Sequence, residues 1–359
     1  MPEPQRDGEM DALLSYIHER RNFDFRGYKR ASLARRILKR MQQIGADSYE
    51  RYMEVLEANP GEFGELFNTI LINVTALLRD SEAWDVLAES AVGSLIQGKA
   101  PDDPIRVWSA GCASGEEAYS LAVLLAEAVG EDRFRRTVKI YATDADSDAL
   151  VAARHGRYKE KDLYDAFGHE IASRYFEFES GFGVFRSDLR RSLIFGRHDL
   201  VQDPPISRLD LVSCRNTLMY FTAEVQLSVL GTLHFALNPG GYLFLGKSEA
   251  LVSRTQLFHV VNLRHRIFRK DGTAPDLPVL SALAAQRAKG GSWRPDLMRT
   301  AEATLETLGV PTVVVDNDMV ILQANREARR LLGIGSSDVG RTLRDAATAL
   351  RADLKSAVD

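Results

Sequence analysis

Cysteine is scarce: the 359 residues contain two, Cys112 and Cys214, and both sit in apolar runs. That excludes a disulfide-stapled scaffold and fits buried free thiols in a reducing compartment. Long apolar runs are also missing. No stretch approaches the ~20 residues needed to span a bilayer, and the N-terminal MPEPQRDGEM has no apolar signal core. A cytoplasmic location without membrane insertion is therefore expected. An excess of one charge is lacking too. The 46 Lys+Arg stand against 50 Asp+Glu, a formal net charge of −4. Such a balance gives no global attraction to nucleic acid or anionic lipid, so any basic surface must be local. The seven histidines are scattered without metal-ligand spacing, and no metal is expected. There is no serine elbow, no cysteine beside a candidate base, no repeat and no low-complexity segment. What remains, 45% hydrophobic and 27% charged residues, is an ordinary globular composition with room for two or three domains.

The first ~90 residues read as short helices. LLSYIHERRNF, SLARRILKRMQQIG, SYERYMEVLEANP and EFGELFNTILI carry apolar residues at helical spacing, broken by Gly and Pro. The pattern then changes. IRVWSAG, VKIYATD, LDLVSCRN and GYLFLG read as strands; EEAYSLAVLLAEAVG, SDALVAARHG and AEVQLSVLGTLHFAL read as helices. Strands alternating with helices predict a parallel α/β sheet covered on both faces. Residues 172–196, rich in Phe, read as a small antiparallel insertion, and LRHRIFRK as the last strand. The expected domains are 1–90, helical; 91–271, α/β; 272–301, linker; and 302–359, a separate strand–turn–strand–helix segment that stops early.

Chemistry concentrates at the strand ends. Trp108-Ser109-Ala110-Gly111-Cys112-Ala113-Ser114-Gly115-Glu116-Glu117 is a strand, a glycine loop and a helix start. Gly111 and Gly115 allow a sharp turn and a close ligand approach, and the helix start supplies free N–H groups. The third glycine of a dinucleotide fingerprint is missing, and no Gly-Lys-Ser/Thr follows. Asp144 ends the second strand, where an acid accepts hydrogen bonds from ribose hydroxyls; Asp146 or Ser147 can cap the next helix instead. Loop and acid together point to an adenosine-containing ligand. Glu116 and Glu117 favour a cationic one over a phosphate, which argues against NAD.

These residues carry a resemblance. Asn73-Val74-Thr75-Ala76-Leu77-Leu78-Arg79-Asp80, SAGCASGEEAYSLA, IYATDAD, LDLVSCRNTLMYF and LNPGGYLFLGKSEAL, in this order, resemble the CheR family of chemoreceptor glutamate methyltransferases from about Tyr16 to Lys270. The resemblance implies a Rossmann-like class I methyltransferase sheet, an N-terminal helical domain and a small β insertion. It implies S-adenosylmethionine as cofactor, S-adenosylhomocysteine as product, and receptor glutamates as substrate. Carried over by motif, the cofactor contacts are Asn73, Thr75, Arg79, Glu117 (with an offset to Glu116 open), Asp144, Asp199, Leu200, Arg215 and Asn216. Tyr220 matches a tyrosine near the transferred methyl. Asp199 stands where the family usually has Asn, Lys247 where it often has His, and Leu77 and Leu78 where it often has Phe. A glutamate is ionised at neutral pH, so no general base is required; alignment is the enzyme's task. Arg79 is expected to orient carboxylate or cofactor and Tyr220 to hydrogen-bond near the reacting centre. A plain salt bridge of Arg79 with Asp80 or Glu82 is the competing reading.

Residues 20–41 hold nine basic residues (Arg20, Arg21, Arg26, Lys29, Arg30, Arg35, Arg36, Lys39, Arg40) against one acid, Asp24. Leu33, Ile37, Met41 and Ile44 form one stripe, so the charges are expected to face outward and steer acidic receptor helices. The short ESGFGVF segment of the insertion predicts docking without a receptor pentapeptide. VPTVVVDNDMVILQANREARRLLG resembles the start of a PAS sensory domain, a partial α+β segment. The competing functions are a module that binds S-adenosylmethionine or its product without turnover, and a small-molecule or nucleic-acid methyltransferase. The acidic whole and the lack of interleaved aromatics count against nucleic acid.

Overall fold

The computed structural model describes residues 3–21, 23–71, 73–249, 257–270, 313–315, 321–324 and 326–332. The chain divides into two units, one ending at Leu283 and one beginning at Ala284.

The first unit opens with helices α1 (Glu3–Arg21), α2 (Arg30–Ile44), α3 (Tyr49–Ala58) and α4 (Glu62–Ile70). In α2 the residues Leu33, Ile37 and Met41 repeat every four positions and are buried, which places them on one helical face. Gly45, in the left-handed region at φ 75°, ends the helix. Ser48 starts α3 by accepting the Arg51 N–H at 3.2 Å. Together with Leu13, Ile17, Phe25, Tyr52 and Leu66, these side chains form a core separate from that of the sheet.

Next come α5 (Ser81–Leu87), a π turn (Ala88–Val92) and α6 (Gly93–Gln97). Here the expected boundary at residue 90 is corrected. The helical run continues across it, and Trp84, Leu87, Ala91 and Val92 pack into a sheet core. The segment after Leu71 therefore belongs with the sheet.

The main sheet contains β1 (Ile105–Ala110), β2 (Val138–Asp144), β6 (Leu193–Arg197), β7 (Leu209–Cys214), β8 (Leu237–Leu245), β9 (His259–Asn262) and β10 (Ile267–Arg269). The order is β6-β2-β1-β7-β8-β10-β9. The first five strands are parallel; β10 and β9 add antiparallel to the edge. Alternation along the strands divides two cores. Val107, Ile140, Leu211 and Phe244 face one, with Leu121 and Leu125 of α7 (Glu116–Val129). Trp108, Val212, Leu243 and Leu245 face the other, with Val229, Leu230 and Leu233 of α12 (Ala223–Ala236). From β1 the chain goes to β2 on one side, and β7 lies on the other. This is a topological switch point, where a crevice opens beyond the strands' carboxyl ends.

α8 (Glu131–Thr137) leads into β2, and α9 (Ser147–His155) follows it. The insertion is a three-stranded antiparallel sheet, β3 (Arg157–Lys159), β5 (Phe182–Phe185) and β4 (Phe176–Glu179), in that order, with α10 (Glu160–Tyr175) between β3 and β4. Its limits differ from 172–196. β3 lies upstream, and after α11 (Ser187–Arg190) residues 193–197 are β6 of the main sheet. A short strand such as LIFGR does not reveal in sequence which sheet will pair with it; β6 pairs with β2 from Leu193 to Arg197.

In the second unit, β11 (Val313–Val315) and β12 (Ile321–Ala324) pair antiparallel, and α13 (Arg326–Leu332) follows. These are two strands and a helix of the expected segment; its turn, the linker 272–301 and the rest of 302–359 lie outside the described residues. Among the described residues, no helix is long and apolar enough to cross a membrane, and no cluster of His, Cys, Asp and Glu could hold a metal ion.

Candidate functional site

The crevice beyond β1, β2 and β7 gathers all ten residues singled out in the sequence. Asn73, Thr75, Arg79, Glu117, Asp144, Asp199, Leu200, Arg215, Asn216 and Tyr220 line one cleft.

Its floor is the turn from β1 to α7. Gly111 and Cys112 donate their N–H groups to the Thr143 carbonyl at 2.8 and 3.0 Å. Gly111 has φ 79°, and a Cβ there would meet Thr217 Oγ1 at 2.3 Å, so only glycine fits. Asp144 receives the Ala113 N–H on Oδ2 at 2.8 Å and the Asp146 N–H on Oδ1 at 2.9 Å. Each oxygen keeps acceptor capacity for a ligand hydroxyl. Burial pushes the Asp144 carboxyl above its ordinary pKa. The capping role falls to Asp146, whose Oδ1 accepts from Asp148 and Ala149; its Oδ2 accepts the Asn73 amide at 2.6 Å.

The choice between the two glutamates is a matter of helix rotation. Glu117 lines the cleft and accepts the Ser109 hydroxyl at 2.7 Å. Burial raises its pKa against the opposing charge of Arg215. Glu116 turns to Ser114, whose hydroxyl lies 2.7 and 2.9 Å from its two carboxylate oxygens.

The wall opposite is the segment 73–80. The Arg79 guanidinium donates to the Val74 carbonyl at 2.9 Å, and the Trp84 indole donates to the Arg79 carbonyl at 3.0 Å. The neighbours that could have claimed Arg79 in a surface pair are engaged elsewhere. Asp80 pairs with Arg215 at 2.9 Å and with Lys247 at 2.7 Å, and Glu82 pairs with Arg264. This supplies the account of Lys247 that the sequence lacks: it holds Asp80 from the solvent side.

Arg215 is buried, with its guanidinium 4.6 Å from the Phe244 ring centroid and 5.6 Å from that of Trp84. Burial lowers its pKa, opposed by Glu117 and Asp80. Its Nε has no protein partner, a buried donor at the cleft wall of the kind that a bound group satisfies. Asn216 follows in the left-handed region at φ 61°. Glu249 fixes this bend. It accepts the Thr217 and Leu218 N–H groups on one oxygen and the Gly246 N–H on the other. Glu249 lies in a quoted motif but was not assigned a task from sequence.

Asp199 follows β6 and accepts the Val201 N–H at 2.8 Å; burial raises its pKa. A carboxylate at this family Asn position thus keeps an acceptor in the cleft. Tyr220 is half-buried, with the Arg36 guanidinium 5.1 Å from its ring centroid. Tyr28 and His198 also line the cleft; nothing in their local sequence marks them, because tertiary contacts bring them there.

Beside the cleft runs a second groove, lined by Arg35, Arg36, Lys39, Gln42 and Asn68 and meeting the cleft at Asn73 and Val74. The expectation that the basic residues of 20–41 all face outward is corrected here. Arg40 makes a bidentate pair with the buried Glu62 at 2.7 Å on both arms. Arg36 donates to the Ile70 carbonyl, Arg30 pairs with Asp11, and Arg26 pairs with Asp24. Arg35 and Lys39 are exposed.

Residues 73–267 match the family described as "CheR methyltransferase, SAM binding domain", and residues 8–71 match "CheR methyltransferase, all-alpha domain". The chain is 36% identical over 348 residues to an uncharacterized 104.1 kDa protein of Rhodobacter capsulatus, covering 94% of this chain and 36% of that protein. It therefore spans about a third of that relative. It is 32% identical to a chemotaxis protein methyltransferase of Listeria innocua, over 63% of this chain and 84% of the relative. It is 32% identical to chemotaxis protein methyltransferase 1 of Pseudomonas aeruginosa, over 62% and 83%.

Proposed function

The chain belongs to the CheR methyltransferase family, and from that premise we propose that it transfers the methyl group of S-adenosylmethionine to glutamate side chains of chemoreceptors, as an adaptation enzyme of chemotaxis. The single observation carrying this reading is the convergence of ten residues from five chain segments on one cleft.

The residues present fit the cofactor. Gly111 lets the floor of the cleft pack closely against Thr217, where a Cβ would collide. Asp144 offers acceptors suited to ribose hydroxyls, and Asp199 and Leu200 flank the same end. The unpartnered Arg215 Nε and the Arg79 guanidinium suit the carboxylate of the amino-acid end, and Glu117 suits its ammonium. Bound there, the cofactor supplies an electrophilic methyl on a sulfonium that leaves as a neutral thioether. The glutamate oxygen forms the new O–C bond as the C–S bond breaks. No proton moves, so the chain needs no general base. Tyr220 donates near the reacting oxygen, and Arg79 holds cofactor or carboxylate in line. Such alignment contributes several kcal/mol of barrier lowering.

The receptor side is read from the groove. Arg35, Arg36 and Lys39 lead from α2 to Asn73 and Val74 at the cleft mouth, and a basic groove suits an acidic receptor helix. The β4–β5 connection is Ser180-Gly181, a two-residue hairpin turn with φ 51° and 77°. That short turn supports docking without a pentapeptide tether. Residues 302–359 are read as the start of a PAS-like sensory segment.

The test is methyl transfer from labelled S-adenosylmethionine to receptor cytoplasmic fragments, followed by mild alkali. A glutamyl methyl ester releases volatile methanol, whereas an N-methyl product does not. Calorimetric binding of S-adenosylhomocysteine without any turnover on receptor fragments would favour the non-enzymatic sensor module instead.

A further inference from the structure

Buried tyrosine hydroxyls normally find a hydrogen-bond partner. In this molecule most do. Tyr52 donates to Glu62, Tyr119 to the Ala153 carbonyl, Tyr158 to the Ser114 carbonyl and Tyr175 to Glu127. Tyr28, partly buried between two cores, differs from these four. Among the described residues its hydroxyl makes no hydrogen bond, although it lines the cleft between elements that carry acids.

The ring itself is firmly held. Phe221 packs edge-on at 4.8 Å between centroids, Phe25 at 5.2 Å, and Phe23 at 6.2 Å. The backbone is pinned on both sides. Lys29 donates its N–H to the Tyr220 carbonyl at 2.8 Å, and Thr222 donates to the Gly27 carbonyl at 3.0 Å. Tyr28 and Phe221 thereby form an antiparallel bridge. Gly27 sits so close to α12 that a Cβ would lie 3.1 Å from Val225. The phenol cannot swing away without breaking these contacts. It is a fixed group that the N-terminal helical domain inserts into the methyltransferase cleft.

Its surroundings say which part of a ligand it meets. Burial first, and then the nearby carboxylates of Asp199 and Asp144, push the phenol's pKa far above the usual value. The hydroxyl is therefore neutral at any physiological pH. Both carboxylates are themselves fixed by backbone N–H groups. They can only accept hydrogen bonds, whereas a neutral hydroxyl can both donate and accept.

We infer that Tyr28 is a cofactor-binding residue, contributed by the N-terminal domain, whose hydroxyl hydrogen-bonds the adenosine half of the cofactor between Asp144 and Asp199. The inference rests on the reading of the cleft as an S-adenosylmethionine site. It has a consequence for the docking groove, because segment 27–29, which carries Tyr28, is hydrogen-bonded to segment 220–222, which begins with the Tyr220 that Arg36 packs against. A cofactor seated on Tyr28 tightens the junction on which the groove is built, and by linkage substrate docking tightens cofactor binding.

The experiment is calorimetry on the full chain, wild type and Tyr28→Phe, with S-adenosylhomocysteine and with 5′-methylthioadenosine, which lacks the amino-acid end. Phenylalanine keeps the three ring contacts and removes only the hydroxyl. The expected result is a Kd raised about 5-fold, as for one neutral hydrogen bond, by the same factor for both ligands. The melting temperature without ligand stays unchanged, and the ligand-induced rise in it is smaller. Unchanged affinity for both ligands overturns the inference, as does a lower ligand-free melting temperature with unchanged affinity, the behaviour of a tyrosine that only packs. A loss confined to S-adenosylhomocysteine places the contact at the amino-acid end and overturns it too. If wild type binds neither ligand, the reading of the cleft fails instead. Hydrogen exchange is the second readout: S-adenosylhomocysteine should protect residues 27–29 and 220–222 in wild type, and less in Tyr28→Phe.

Discussion

The cofactor cleft and the basic groove meet at Asn73 and Val74, yet they are built by opposite rules. In and under the cleft the charged groups are held in place by short-range protein contacts. Asp144, Asp199 and Glu249 each accept main-chain N–H groups, and Arg215 is clamped between two rings and Asp80. In the groove the charges stand on long exposed side chains of one helix, with Arg35 and Lys39 in solvent. The first arrangement gives geometry and the second gives attraction. The function proposed above draws on both: an electrophile held rigidly and an acidic receptor segment brought near it.

The sharpest way to break this contrast is to remove a fixed group. Asp144→Ala takes away the ribose acceptor and also frees the Ala113 and Asp146 N–H groups. Charged hydrogen bonds contribute about 1.5–3 kcal/mol each, so S-adenosylhomocysteine should bind about 100-fold more weakly by calorimetry. A loss under 5-fold would mean that the acid organises the loop without touching the ligand.

Next in size is a charge that sequence places on an outward basic face and structure pairs with a buried acid. Arg40 sits on the basic helix, but its guanidinium is held by the buried Glu62. Arg40→Ala leaves that carboxylate, and the Tyr52 hydroxyl bonded to it, without their cation. Breaking such a pair should cost about 3 kcal/mol of stability, the bottom of the range for buried pairs, and show as a lower midpoint in urea. The doubly substituted Arg35→Glu, Lys39→Glu should do the reverse. Its urea midpoint stays at the wild-type value while methylation of receptor fragments at low salt slows about 5- to 10-fold, an effect that fades as salt rises. Equal loss of stability from both variants would erase the distinction.

The same contrast explains what the sequence could and could not reveal. The loops after β1, β2 and β7 are local: glycine, acid and turn residues lie within a few positions of each other, so their pattern predicts the cleft directly. The parallel α/β sheet follows equally from strands alternating with helices. The rest depends on partners distant in the chain. Glu117 rather than Glu116 reaches the cleft because of how α7 packs on the sheet. Arg40 is neutralised by Glu62 on α4, and Lys247 finds Asp80 across the cleft mouth. Tyr28 gains its place only because segment 27–29 pairs with segment 220–222. Edge strand β6 joins the main sheet through β2, which its own composition does not announce.

The smallest effect tests the contrast through protons. Burial raises the Glu117 carboxyl pKa, whereas the hydrogen bonds from Arg40 lower that of Glu62. The linkage signs are opposite. A folded pKa above the unfolded one gives stability that is present in acid and lost as pH rises through the folded value. A folded pKa below the unfolded one gives stability that is present above the ordinary carboxylate range and lost as pH falls through the folded value. At neutral pH the ionised Glu117 therefore works against the fold, and the ionised Glu62 works for it. Glu117→Gln should melt at or about 2 °C above wild type at pH 7 while binding S-adenosylhomocysteine more weakly; Glu62→Gln should melt about 2–4 °C below wild type, at a few degrees per kcal/mol for a domain of this size, with ligand affinity unchanged. Both differences should shrink on acidification, as wild type takes up the same protons. A Glu117→Gln variant that melts well below wild type would show that Arg215 and Arg79 depend on this carboxylate more than burial penalises it, and the cleft would then be held together by its charges rather than strained by them.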